Sequence, residues 1–117
     1  MARFVFVESR DPYECADCAR FLDLVAGVRR RSHEVTLFLV QNAVLAAREG
    51  ASRAGGYSEL ARAGVAVVAD AFALRERAVD RLASGIEPSG VDRLVSLALT
   101  PQTRVIWHAR QGCRQVS

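Results

Sequence analysis

Short apolar runs alternate along this chain with longer segments whose apolar residues recur every three or four positions. A short continuous run suits a strand covered on both faces, and the longer period suits a helix with one buried face. The alternation predicts β/α units around a mainly parallel sheet of four to five strands. One α/β domain over 1–108 is expected, followed by a polar tail over 109–117. Strands fall at Arg3 to Val7, Glu34 to Val40, Val65 to Ala69 and Thr103 to His108, with Ile86 as a very short addition.

The helical segments carry their own boundary signals. Asp11-Pro12-Tyr13-Glu14 has an N-cap residue, a proline at the first helical position and a glutamate at the third, which is a capping-box arrangement. It predicts a helix running from there to about Arg30, with Cys15, Cys18, Ala19, Leu22, Val25 and Ala26 on one face. A short helix is expected from Ala43 to about Glu49, and another from Tyr57 to Ala63, ended by Gly64 as a left-handed cap. Leu74, Ala78 and Leu82, at intervals of four, predict a helix from Phe72 to about Ser84. Ser89-x-x-Asp92 resembles a second capping box, opening a helix with Val91, Leu94, Val95 and Ala98 on one face. Ala51 to Gly56 reads as a small-residue loop.

Composition removes several function classes. Half of the 117 residues are hydrophobic and a quarter are charged, which suits one globular domain and not a disordered chain. All 16 basic residues are arginine, yet the formal charge is only +3 and the arginines are spread, so no nucleic-acid partner is expected. The one run, Arg29-Arg30-Arg31, falls where a helix should end and suits the helix dipole. No apolar run approaches the roughly 18 residues of a membrane span, and the opening residues do not read as a secretory signal. A cytoplasmic protein with no membrane partner is the expectation.

Candidate chemistry centres on the cysteines. Three of them, Cys15, Cys18 and Cys113, do not make a disulfide framework. A zinc site would have to combine the Cys15/Cys18 pair with Cys113 and His108 or His33, without the second-pair spacing of such sites. No metal and no cofactor are therefore expected. Cys15 and Cys18 are the candidate catalytic residues, because they follow the first strand near the sheet edge where α/β proteins place chemistry. Their spacing invites comparison with thioredoxin-like proteins, with Thr100-Pro101 as the proline facing the pair. The capping box opposes this, since it makes Cys15 the fourth and Cys18 the seventh helical residue, on the apolar stripe. Glu14 and Asp17 would also oppose thiolate formation. Packing is the expected role of both. Cys113 lies between Arg110 and Arg114 in the tail and reads as an incidental terminal thiol.

Three loops should share the carboxyl edge of the sheet: Ser9 to Tyr13, Gln41 to Ala43, and Asp70 to Arg75. Ser9, Arg10, Asn42, Asp70 and Arg75 are the candidate ligand-binding residues there. His33 reads as the end of a turn, and His108 lies near the edge without an evident partner. No Ser-His-Asp set, glycine-rich phosphate loop or paired carboxylates are visible.

With these residues placed, the chain resembles the DsrE/DsrF-like family, which includes sulfur-relay subunits of Tus and Dsr type. The resemblance rests on Phe4-Val5-Phe6-Val7-Glu8-Ser9 with Asp11-Pro12, and most specifically on His33 to Leu39 followed by Asn42-Ala43-Val44. Leu60 to Val67, the helix Val91 to Leu99 and the strand Arg104 to Trp107 extend it to about residue 108. It implies a flavodoxin-like three-layer domain that forms a homo-oligomer, trimer or hexamer, or a hetero-oligomer with related subunits. It also implies a persulfide-carrying cysteine after the third strand, but Val67 to Arg75 contains none. The expected function is accordingly a non-catalytic binding or assembly subunit of intracellular sulfur transfer. The alternatives are an active thiol protein using Cys15 and Cys18, as a sulfur carrier or a thioredoxin-like oxidoreductase, and a small-ligand or nucleotide-binding module.

Overall fold

The computed structural model describes residues 2–109 and 112–116. Its strands are β1 (Arg3–Glu8), β2 (Glu34–Leu39), β3 (Ala66–Asp70), β4 (Ile86–Ser89), β5 (Thr103–Ala109) and β6 (Gly112–Val116). The helices are α1 (Cys18–Arg30), α2 (Ala54–Arg62), α3 (Ala71–Glu76) and α4 (Val91–Ala98), with a 3₁₀ helix over Gln41–Ala47. The sheet order is β4-β3-β2-β1-β5-β6. The first five strands are parallel, and β6 returns antiparallel on β5. The α/β, mainly parallel architecture predicted from the apolar pattern is the one observed. The segment read as a polar tail contributes β6.

Strand order steps outward from β1 through β2 and β3 to β4, then jumps back to place β5 on the other side of β1. The β1/β5 boundary is therefore the topological switch point, where connections leave in opposite directions and open a crevice at the carboxyl edge. Val7 pairs with Trp107, and the same parallel register brings the next residues, Glu8 and His108, side by side.

Alternation along the strands divides the core. Phe6, Leu37, Leu39, Val67 and Ala69 face one side and pack with Phe21 and Val25 of α1, Val44, Tyr57 and Leu60 of α2, and Leu74 of α3. Val5, Val7, Phe38, Val68 and Val105 face the other side, against Leu94 and Leu97 of α4. Burying one such side chain contributes about 1.5–3 kcal/mol, so both faces of the sheet are strongly specified. Helices above and below the sheet make the three layers.

Several expected boundaries differ: α2 starts at Ala54, inside the segment read as a small-residue loop, and three others shift for a tertiary or local reason. The first helix starts at Cys18 and not after Asp11. Asp11 spends its carboxylate on Tyr13 N, at 3.0 Å, and its carbonyl on Glu14 N, closing a local turn that does not propagate. The helix expected to reach Ser84 stops at Glu76. Residues 81–83 instead bond the segment after the 3₁₀ helix, through Glu49 N to Arg81 O and Ala83 N to Ala47 O. Ser89 does not cap α4, because it is paired with Asp70 as the last residue of β4; Gly90 is the N-cap, without a side-chain bond.

The turn after α2 follows its sequence signal. Gly64 takes φ +101°, and a Cβ there would lie 2.6 Å from Arg29 Nη2. That guanidinium is committed to Ala63 O and His33 O, each at 3.0 Å, so Arg29 has a clamping role beyond the helix dipole. Gly64→Ala is expected to destabilise the protein by more than about 1 kcal/mol, measured by the shift of the urea midpoint at unchanged slope.

Candidate functional site

Glu8 is a charged residue at the end of an apolar strand, and it is 1% exposed. Parity decides its direction, since Glu8 shares its side of β1 with Phe6 and so turns toward α1. A buried carboxylate needs partners, and Glu8 has three. His108 Nδ1 lies 2.7 and 2.8 Å from its two oxygens. The backbone N–H groups of Ser9 and Arg10 donate to Oε2 at 3.1 and 3.4 Å. A carboxylate accepts only, so in this pairing Nδ1 donates and the lone pair of the imidazole lies on Nε2. Phe21 stacks on the imidazole, with centroids 4.7 Å apart and planes 12° from parallel, which holds the ring in place.

Cys15 and Cys18 complete the cluster. Both are free and buried. Their sulfur atoms and a ring nitrogen of His108 all lie within 4.8 Å of one another. The expectation of burial holds, and Cys18 shares the buried face of α1 with Phe21 and Val25. The structure adds His108 and Glu8 beside the pair. The late start of α1 places the two cysteines at its N-terminus. Cys15 precedes the helix and Cys18 is its first residue, with Cys18 N bonded to Cys15 O at 3.3 Å.

Burial pushes the Cys18 thiol well above its ordinary value of 9.0, and Cys15 and the Glu8 carboxylate push it the same way. A helix N-terminus acts in the opposite direction, but at 3% exposure desolvation and the facing carboxylate outweigh it. Tyr57, 1% exposed, is likewise raised above 10.0, first by burial and then by Glu8 and Cys18. Over the rim, Tyr13 accepts from Arg53 N at 3.2 Å and shares a 3.0 Å hydrogen bond with Ser52, tying the turn that carries Cys15 to the loop before α2.

The other candidate residues are accounted for by their own local contacts or exposure. Ser9 and Arg10 take part through their backbone N–H groups. Asn42 Oδ1 accepts from Arg77 at 3.0 Å, Asp70 caps α3 by accepting from Ala73 N at 3.3 Å, and Arg75 is exposed on the last turn of α3. His33 lies at the opposite edge, accepting from Ala2 N. Thr100-Pro101 precedes β5 and is also at that edge, because Thr103 pairs with Arg3; it does not face the cysteines. The side chain of Cys113 lies outside the described residues. Glu8 was missed by sequence reasoning and His108 lacked a partner there. The available signal was shared parity, with one polar residue ending each of two apolar strands.

A protein-family model described as the DsrE/DsrF-like family matches residues 2–107. The chain belongs to the DsrE/DsrF-like family. Membership connects it with sulfur relay at family level. Among solved structures, it is similar to the YchN protein from E. coli, with a TM-score of 0.83 and 21% identity over 92% of this chain and 99% of that one. It is also similar to MTH1491 from Methanobacterium thermoautotrophicum, a protein of unknown function, with a TM-score of 0.70 and 26% identity over the same shares of the two chains. No curated protein matches it. These likenesses bear out the flavodoxin-like fold. The segment after β3, where the family resemblance calls for a cysteine, has Asp70, Ala71 and the exposed Phe72.

The raised thiol has a consequence for stability. The folded protein holds the Cys18 and Tyr57 protons more tightly than the unfolded chain, which releases them from about pH 9.0 and 10.0 upward. Unfolding is therefore favoured as pH rises, and the contribution is fully present below pH 9. The thermal midpoint should fall between pH 8.5 and about 11, with the fall beginning later in Cys18→Ala; differential scanning calorimetry across this range checks it.

Proposed function

We propose that this chain is an active thiol subunit of intracellular sulfur transfer, using Cys15 and Cys18 at the β1/β5 crevice in place of a cysteine after β3. The observation that carries this reading is the enclosure of both sulfurs within 4.8 Å of a nitrogen of His108, itself bonded to Glu8. A nucleophile, a base and a group that orients the base are the parts that thiol chemistry requires. Among the described residues, no such set surrounds Asp70.

The roles follow from position and charge. Cys15 lies in the turn before α1, whereas Cys18 sits on the buried face of the helix, where burial and the Glu8 carboxylate oppose its ionising. Cys15 is thus the acceptor. His108 Nε2 takes the Cys15 proton, and the thiolate attacks the terminal sulfur of a donor persulfide. The donor S–S bond breaks, a Cys15 persulfide forms, and the proton leaves on the donor thiol. No net oxidation occurs. An acceptor thiol removes the terminal sulfur by the same exchange. Alternatively, Cys18 attacks the inner sulfur of the persulfide, closing a Cys15–Cys18 disulfide and releasing hydrogen sulfide. Glu8 keeps the imidazole in the tautomer that the first step needs.

Incubating the reduced protein with a low-molecular-weight persulfide and locating the added 32 Da by mass spectrometry tests the assignment. Sulfur on Cys15, lost in Cys15→Ser and reduced at least tenfold in Glu8→Gln, is the expected result. Sulfur found only on Cys113, or none at all, would return the chain to the accessory, non-catalytic role.

Self-association belongs to the same proposal. Val91, Val95 and Leu99 lie at helical spacing along α4 and are 55, 52 and 79% exposed, a face suited to a second copy of this chain. Light scattering should give the mass of a trimer or hexamer, reduced by Val95→Glu. A monomeric mass for the native chain would remove this part of the proposal.

A further inference from the structure

We infer that Cys15, Cys18 and His108 form a site for a thiophilic divalent cation of the zinc class, with Glu8 as the carboxylate that orients the histidine. The inference uses the thiol pair of the sulfur-transfer reading but does not require sulfur transfer to occur. Three ligand atoms from two parts of the fold lie within 4.8 Å of one another in a buried site. Tetrahedral coordination, with metal–sulfur near 2.3 Å and metal–nitrogen near 2.0–2.1 Å, places ligand atoms about 3.5–3.8 Å apart. The set therefore has to draw in by at most about 1.0–1.3 Å. Both cysteines lie in the turn before and at the start of α1, where side-chain rotation supplies that movement.

Three further features agree with a metal. The ligands are soft sulfur and imidazole, which select zinc, cobalt or ferrous iron over magnesium and calcium. The Nδ1–H of His108 is bonded to Glu8, and metal-binding histidines use their second nitrogen in this way, donating to a carboxylate that fixes the ring and raises its basicity. Charge also balances. Two thiols lose one proton each to a divalent cation, so the two thiolates and the metal sum to zero in a place where a net charge is costly. Glu8 is occupied by His108 and two backbone N–H groups, so it supports the site without joining the ligands. Three protein ligands leave the fourth position for a small thiol, sulfide or water.

Competition follows directly. A metal held by both sulfurs occupies the lone pairs that would attack a persulfide, so metal-loaded and sulfur-loaded forms exclude each other. Zinc would then hold the pair reduced and unreactive until a chelating thiol removes it.

Titrating the reduced, metal-free full chain with Co(II) under argon tests the site. The expected result is one equivalent bound, with thiolate-to-cobalt charge-transfer absorption and the visible bands of tetrahedral cobalt, both abolished by equimolar zinc. Cys15→Ser and Cys18→Ser should lose the charge-transfer band or weaken binding at least 100-fold. Glu8→Gln, checked for folding by circular dichroism, should bind about 10–100-fold more weakly. Full alkylation of both cysteines in the reduced protein with no cobalt–thiolate band would overturn the inference, even if the metal-free protein takes up persulfide sulfur. Unchanged affinity in folded Glu8→Gln would overturn the role of Glu8. Cobalt bands without any persulfide uptake would leave the metal site standing and remove the sulfur-transfer reading instead.

Discussion

A buried carboxylate at the end of the first strand constrains the whole carboxyl edge of this protein. Glu8 can stay in the interior only if its oxygens are bonded, and the partners available are His108 and the N–H groups of Ser9 and Arg10. Meeting that demand curls the chain back immediately after β1. The curl delays α1 until Cys18, leaves Cys15 in the turn before it, and brings both sulfurs to the imidazole. Removing His108 would leave the buried carboxylate with two backbone donors alone, and removing Glu8 would leave the buried imidazole without its bond, each at a cost of up to several kcal/mol. The pair is thus a joint between β1 and β5 as well as a part of the chemistry.

Its position is where the proposed thiol site would stand in a family member that lacks a cysteine after β3. The β3 edge is two strands from β1, about 10 Å away at the usual strand spacing. The switch point between β1 and β5 is the natural crevice of this topology. There the chain supplies soft ligands, a base and an acceptor for the proton of the base. The same set suits a sulfane sulfur or a thiophilic metal, because both demand two polarizable donors and a fixed imidazole. What distinguishes the two uses is charge. Persulfide chemistry needs one thiolate at a time, whereas a divalent cation stabilises two together.

The two faces of the sheet divide the remaining labour. One is sealed by α1, α2, α3 and the 3₁₀ helix, and the Glu8–His108 pair lies buried at its carboxyl edge. The other is covered, among the described residues, by Leu94 and Leu97 of α4, while Val91, Val95 and the following Leu99 stay in solvent. A domain arranged in this way separates its chemistry from the surface proposed for self-association.

Much of the architecture was legible in the sequence. Period-two and period-3.6 patterning is a local property, so the alternation of elements, the five parallel strands and the left-handed turn at Gly64 could all be read from neighbouring residues. Boundaries failed where a distant segment claimed the hydrogen bonds. Arg81 and Ala83 bond to the segment after the 3₁₀ helix, and Ser89 is taken up by β3. The capping box failed for a related reason, since Asp11 satisfied its own turn before a helix could grow from it. The sequence by itself determined the α/β class, the family and the presence of a cysteine pair near the functional edge. Only the tertiary structure decided what that pair faces. Glu8 and His108 are 100 positions apart, and nothing local to either records the parallel pairing of β1 with β5 that makes them neighbours. Burial then turns that proximity into a constraint, because a carboxylate removed from water must bond whatever the fold places beside it.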